Sequence, residues 1–148
     1  MRALLQRTTG ARVRIGGDVA GQIGMGLVIL LGVAPADTAA TADALARRAA
    51  DLRIFRDDDG RTNRSLLEVG GQALVVSQFT LYADTRRGRR PGFTNAAPPE
   101  QAGQLYRRFA AALEALGVRV ASGRFGAEMA VELTNDGPFT IWLDSDDR

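Results

Sequence analysis

Apolar and polar positions alternate near both ends of the chain and merge into longer apolar runs between them. Alternation over Arg2 to Thr8, and again at Val13 and Ile15 around Arg14, predicts strands stopped by a Gly16-Gly17-Asp18 turn. Leu27 to Val33 is continuously apolar between Gly26 and Pro35, the pattern of a strand buried on both faces. Asp37 or Thr38 can cap a helix running to about Arg53, with Ala42, Leu45, Ala49 and Leu52 on one face. Asp57-Asp58-Asp59-Gly60 reads as a turn with solvated acids, too short of ligand positions for a calcium loop.

After a Gly70-Gly71 turn, Gln72 to Tyr82 predicts one long strand, then a loop from Asp84 to Ala97. Pro98-Pro99-Glu100 starts a second helix, whose Leu105, Phe109, Leu113 and Leu116 form an inward stripe ended by Gly117. Val118 to Ser122, Glu128 to Thr134 and Phe139 to Leu143 complete the strands, the last two joined by Asn135-Asp136-Gly137-Pro138. Strands precede, separate and follow two main helices without regular alternation. The expected class is therefore α+β, a single domain over residues 1–148 with mixed and antiparallel strands.

Composition narrows the chemistry. All 19 basic residues are Arg, and the chain has no His, Cys or Lys. Disulfides, thiolate zinc, a Cys nucleophile, a His base and a Schiff-base Lys are excluded. Apolar residues at 45% and charged residues at 24% exclude global disorder. A net charge of +2 is too small to argue for nucleic acid without clustering. No apolar run approaches the roughly 20 residues of a membrane helix, and Gln6-Arg7 interrupts any signal-peptide core. The absence of Cys fits a reducing compartment, so a cytoplasmic protein without membrane contact is expected.

Three segments carry candidate chemistry. As a strand, Val75 to Tyr82 would put Val75, Ser77, Phe79 and Leu81 on one face, and Val76, Gln78, Thr80 and Tyr82 on the other. Polar groups then sit among apolar neighbours and need partners, supplied either by nearby backbone or by a ligand. Asn135-Asp136-Gly137-Pro138-Phe139-Thr140 reads as a hairpin turn, or as a loop presenting carbonyls. Its Gly-Pro bond can be cis at a cost of only about 0.5–1 kcal/mol. Arg86-Arg87-Gly88-Arg89-Arg90 puts four Arg in five positions, either solvated surface or a contact for phosphate or RNA. Gly21, Gly24 and Gly26 lack a Lys-Ser/Thr sequel, which disfavours nucleotide hydrolysis.

With these exclusions, a hydrolase has two routes. A carboxylate, Asp84, Asp136 or Glu128, can serve as base. Alternatively, backbone N–H groups hold an oxyanion while the substrate supplies its own acid–base group. One oxyanion donor contributes about 2.7–4 kcal/mol, enough for an activated ester and too little for an amide.

Taken together, the chain resembles the bacterial D-aminoacyl-tRNA deacylase family from end to end. The resemblance rests on Leu5-Gln6-Arg7, Ala11-Arg12-Val13, Gly32-Val33, Arg53-Ile54-Phe55, Ser77-Gln78-Phe79-Thr80-Leu81, Arg90-Pro91 with Phe93, Gly123-Arg124-Phe125, and Asn135-Asp136-Gly137-Pro138 with Thr140. It departs at Gly92, where bacterial relatives commonly carry Ser, and in the richness of Arg between Arg86 and Arg90. The resemblance implies a barrel-like sheet and a homodimer with active sites at the subunit interface. It implies hydrolysis of D-aminoacyl-tRNA, with the aminoacylated tRNA end as partner, no DNA, no cofactor and no metal. Ser77, Gln78, Phe79 and Thr80 would line the catalytic pocket, with backbone N–H near Phe79 serving the oxyanion and the ribose 2′-hydroxyl assisting. Gly137 and Pro138, with Asn135 and Arg7, would bind substrate: a cis pair entering the partner's pocket to exclude L side chains, oriented by Arg7. Such a filter cannot reject glycine, so glycyl-tRNA is an expected substrate too. Two rivals remain: a non-catalytic RNA-binding module using the Arg loop, and a carboxylate-dependent metal hydrolase, for which the acids lack ligand spacing.

Overall fold

The computed structural model describes residues 1–147. Where alternation suggests two pieces, β1 (Arg2–Ile15) is one unbroken strand. It organises the sheet. After the Gly16-Gly17 turn, β2 (Asp18–Ile23), which the pattern left unpredicted, pairs antiparallel with the second half of β1. β3 (Gly26–Gly32) pairs antiparallel with the first half and is almost wholly buried, as its continuous apolar run requires.

Helix α1 (Ala39–Asp51) is capped by Thr38, whose hydroxyl accepts from the Thr41 N–H while the Thr41 hydroxyl accepts from the Thr38 N–H. Asp37 instead accepts from the Ala34 N–H at 2.6 Å. The helix stops at Asp51, two residues short of Arg53, and a small hairpin of β4 (Phe55–Arg56) and β5 (Thr62–Arg64) follows. β6 (Gln72–Ser77) runs parallel to β3. Helix α2 (Pro99–Ala115) buries Leu105, Phe109 and Leu113 against α1 and the sheet, and Gly117 follows it at φ +92°. β7 (Arg119–Ser122) lies parallel to β6, and β8 (Ala130–Asp144) lies antiparallel to β1. The sheet order β2-β1-β3-β6-β7, with β8 on β1 and β2 returning towards β7, makes a nearly closed barrel. The α+β class expected from the order of elements is the observed one.

Two further sequence expectations fail, both at candidate chemistry. The long strand from Gln72 ends at Ser77, and Phe79 to Tyr82 form a 3-10 turn, so the two-face projection does not apply beyond Ser77. Aromatic and β-branched residues fit a strand locally, but after Ser77 the backbone leaves its neighbouring strand. Nor do Glu128 to Thr134 and Phe139 to Leu143 form a hairpin. They are two halves of β8, and both pair with β1. Thr140 opposes Gln6 and Asn135 opposes Thr8, so residues 136–139 form a bulge opposite Arg7.

Candidate active site

A cleft of about 780 Å³ opens where β6 gives way to the 3-10 turn. Its lining comes from Leu31, Val76 and Ser77 of the sheet, from Phe79 and Phe93, and from the start of α2 with residues 125–129. The turn can lie against β3 because Gly32 has no side chain: a Cβ there would sit 3.1 Å from the Gln78 carbonyl oxygen and 3.2 Å from Leu81 Cβ. The Gln78 N–H donates to the Leu31 carbonyl at 2.8 Å, anchoring the point of departure.

The turn leaves donors exposed. Leu81 N–H bonds the Gln78 carbonyl and Ala83 N–H bonds the Thr80 carbonyl. The N–H groups of Phe79 and Thr80 have no acceptor among the described residues, as expected at the start of a helical turn. The Gln78 side-chain amide donates to the Thr80 hydroxyl oxygen. Thr80 therefore meets an amide, which takes no proton near neutrality, and no base. Phe79 is half exposed, and its ring meets Phe93 edge-to-face with centroids 5.0 Å apart.

Of the three carboxylates considered as bases, only Glu128 lines the cleft, and among the described residues it is the sole ionisable side chain doing so. Asp84 lies at the root of the Arg loop, where two hydrogen bonds from the Arg86 side chain hold its carboxyl well below the usual range. Asp136 lies on the β8 bulge. Among the described residues, no group of three or more acidic side chains is placed to hold a metal ion.

Arg7 organises the second candidate segment. Although charged, it is 2% exposed. Its Nε donates to the Asp136 carbonyl at 3.2 Å and pairs with the Asp136 carboxylate at 2.9 Å. Its Nη1 donates to the Ile54 carbonyl at 2.5 Å, and the guanidinium lies 4.2 Å from the Phe139 ring centroid. Asn135 Nδ2 donates to the carbonyls of Arg7 and Phe139, both at 3.0 Å, tying the bulge shut at its base. The clamped segment presents Gly137 and Pro138, joined by a cis peptide bond, to solvent.

The eight predicted residues thus fall into two groups. Ser77, Gln78 and Phe79 line the cleft, with Thr80 beside them on the turn. Arg7, Asn135, Gly137 and Pro138 assemble around the bulge and do not line the cleft of their own chain. The part of the lining from residues 125–129 was not assigned to the pocket from sequence. Phe125 and Met129 form much of it, and the Gly123-Arg124-Phe125 motif was the available signal.

Comparison with known proteins follows the same lines. Residues 4–144 match the family model described as D-Tyr-tRNA(Tyr) deacylase. A D-aminoacyl-tRNA deacylase of Roseiflexus castenholzii is 62% identical, the match covering 98% of this chain and 92% of that protein. The corresponding protein of Symbiobacterium thermophilum is 59% identical over 99% of this chain and 97% of its own. Among solved structures, a c-Myc DNA unwinding element binding protein superposes with a TM-score of 0.91 at 38% identity, covering 97% of this chain and 98% of that one. A probable eukaryotic D-amino acid tRNA deacylase shares the fold, with a TM-score of 0.84 at 19% identity over 96% of this chain and 97% of its own.

Proposed function

The chain belongs to the D-Tyr-tRNA(Tyr) deacylase family, and from that premise we propose how it hydrolyses the ester of D-aminoacyl-tRNA. The aminoacyl ester enters the cleft with its carbonyl oxygen towards the unpaired N–H groups of Phe79 and Thr80. Water attacks the carbonyl carbon, assisted by the neighbouring 2′-hydroxyl of the ribose. Negative charge gathers on the former carbonyl oxygen, where the two amides stabilise it. Collapse breaks the bond to the ribose oxygen, which takes up the proton lost by the water and relayed by the 2′-hydroxyl, releasing D-amino acid and tRNA.

The observation that carries this reading is a large, mainly apolar cleft with free backbone donors and, among the described residues, no ionisable lining group except Glu128. Chirality is judged by Gly137 and Pro138 of a second copy, so the working unit is a homodimer. Supporting this, both residues are exposed on a clamped bulge outside their own cleft, and Trp142 of the same strand is 45% exposed. Their carbonyls occupy the space an L side chain would need, and a glycyl ester passes the same filter.

The test is deacylation of matched D-, L- and glycyl-tRNA in the presence of EDTA, with light scattering of the free protein. Release from D- and glycyl-tRNA by a dimer is expected. Survival of glycyl-tRNA at enzyme levels that clear the D-ester would refute side-chain rejection. A monomer with full discrimination would refute the shared site, and tRNA binding without release would favour the RNA-binding module.

A further inference from the structure

The Arg-rich segment between Asp84 and Gly92 is closed at its base by two backbone hydrogen bonds, Asp84 N–H to Gly92 carbonyl at 2.7 Å and the reverse at 2.9 Å. Phe93, the next residue, lines the cleft and packs on Phe79. The loop therefore springs from the residue next to one wall of the cleft. Within the loop, Asp84 is wholly engaged by Arg86: its two oxygens take the Arg86 Nε and Nη2 at 2.9 and 2.7 Å, and Oδ1 also takes the Arg86 N–H. The one nearby acid and one Arg cancel. Arg87, Arg89 and Arg90 are exposed and have no salt bridge or side-chain hydrogen bond among the described residues. Three unpaired guanidinium groups thus stand within four positions on a loop whose base adjoins the cleft-lining Phe93.

We propose that Arg87, Arg89 and Arg90 bind phosphates of the tRNA acceptor end, setting affinity for tRNA while leaving the chemical step to the cleft. The proposal rests on the deacylase reading for its choice of RNA. Guanidinium forks match phosphate oxygens and stay charged at all working pH values.

The variant R87Q/R89Q/R90Q tests it in two assays. The first measures the Kd of uncharged tRNA against salt concentration. Three phosphate contacts contribute about 2–3 to the log–log slope, so between 50 and 200 mM salt the wild type loses about 20–40-fold more affinity than the variant. The charge-preserving variant R87K/R89K/R90K keeps most of the slope. The second assay compares hydrolysis of D-aminoacyl-tRNA with that of a D-aminoacyl adenosine, which carries no phosphate. The Gln variant is expected to raise KM for tRNA and leave kcat/KM for the adenosine ester unchanged. An unaltered Kd and slope would overturn the proposal and return the run to solvated surface. An equal loss on both substrates would overturn it in favour of a role within the cleft. The binding assay needs no turnover, so a failure of the deacylase reading leaves it decisive.

Discussion

Replacing Thr80 with Ala separates a side-chain nucleophile from main-chain catalysis. A threonine nucleophile needs a partner to remove its proton. Here the hydroxyl oxygen accepts from the Gln78 side-chain amide, and the sequence has no His or Lys to take its place. If the oxyanion is held by N–H groups, T80A leaves both donors standing and removes one exposed side-chain hydrogen bond. Such a bond contributes about 0.5–1.5 kcal/mol, which limits the loss in kcat to about tenfold or a little more. Removing a true nucleophile costs far more, on the order of 10⁶ in kcat for a serine protease. The two outcomes differ by orders of magnitude. The assay is single-turnover release of D-amino acid from charged tRNA, beside Kd for uncharged tRNA and a thermal melt. Because Thr80 is exposed, its replacement should change stability by no more than about 1.5 kcal/mol, the contribution of that one hydrogen bond. A fall in kcat beyond about 10³, with binding and melting intact, would refute the backbone mechanism.

E128Q makes the same comparison for the only carboxylate that lines the cleft among the described residues, and should retain kcat within about tenfold; abolition of turnover would make Glu128 the base. For G137A, a new Cβ would meet only Asn135 Oδ1 at 3.5 Å within the chain, so folding should be preserved. Its ratio of D- to L-ester kcat/KM should nevertheless fall by about tenfold or more, equivalent to about 1.4 kcal/mol of discrimination; an unchanged ratio would remove Gly137 from the filter. G26A should fail structurally, since its Cβ would lie 1.9 Å from the Gln72 carbonyl oxygen on the adjacent strand. A cost above about 4 kcal/mol, roughly 8–16 °C in Tm, is expected by calorimetry, and a near-native melt would contradict the β3–β6 approach. Asp43, beside Arg108, and Glu132, beside Arg12 and Arg14, both have carboxyls below their ordinary range through those hydrogen bonds. Groups lowered in the folded state stabilise it above their unfolded pKa values, near 4, and lose that contribution as pH falls through the folded values. Melting should therefore be flat from pH 5 to 7, without any histidine step, and decline below about pH 4; a transition near pH 6 would contradict it.

The sequence alone determined what chemistry was available and which long elements would form. Without His, Cys or Lys, no arrangement in space could create a thiolate, an imidazole base or a Schiff base. The apolar run of β3 and the inward stripe of α2 were legible because burial on a fixed period is written directly in residue order. The same local rules failed at the two candidate segments. Phe79-Thr80-Leu81-Tyr82 suits a strand by propensity, but its strand partner ends beside Ser77, and the freed backbone coils into a turn with open donors. Asn135 to Pro138 has hairpin composition, yet β1 is long enough to pair with the chain on both sides of it, and the surplus becomes a bulge.

Arg7 shows the difference most clearly. Period two puts it on the face of Ala3 and Leu5, where a charge needs partners that its neighbours in sequence do not offer. Only the assembled fold buries it, because the Ile54 carbonyl, Asp136 and the Phe139 ring converge there from positions 47 to 132 residues away. Residue type and periodicity are local properties and survive in the sequence. The juxtaposition of donors, acceptors and cavity walls depends on which strand pairs with which, and that is decided by the burial of the whole chain at once.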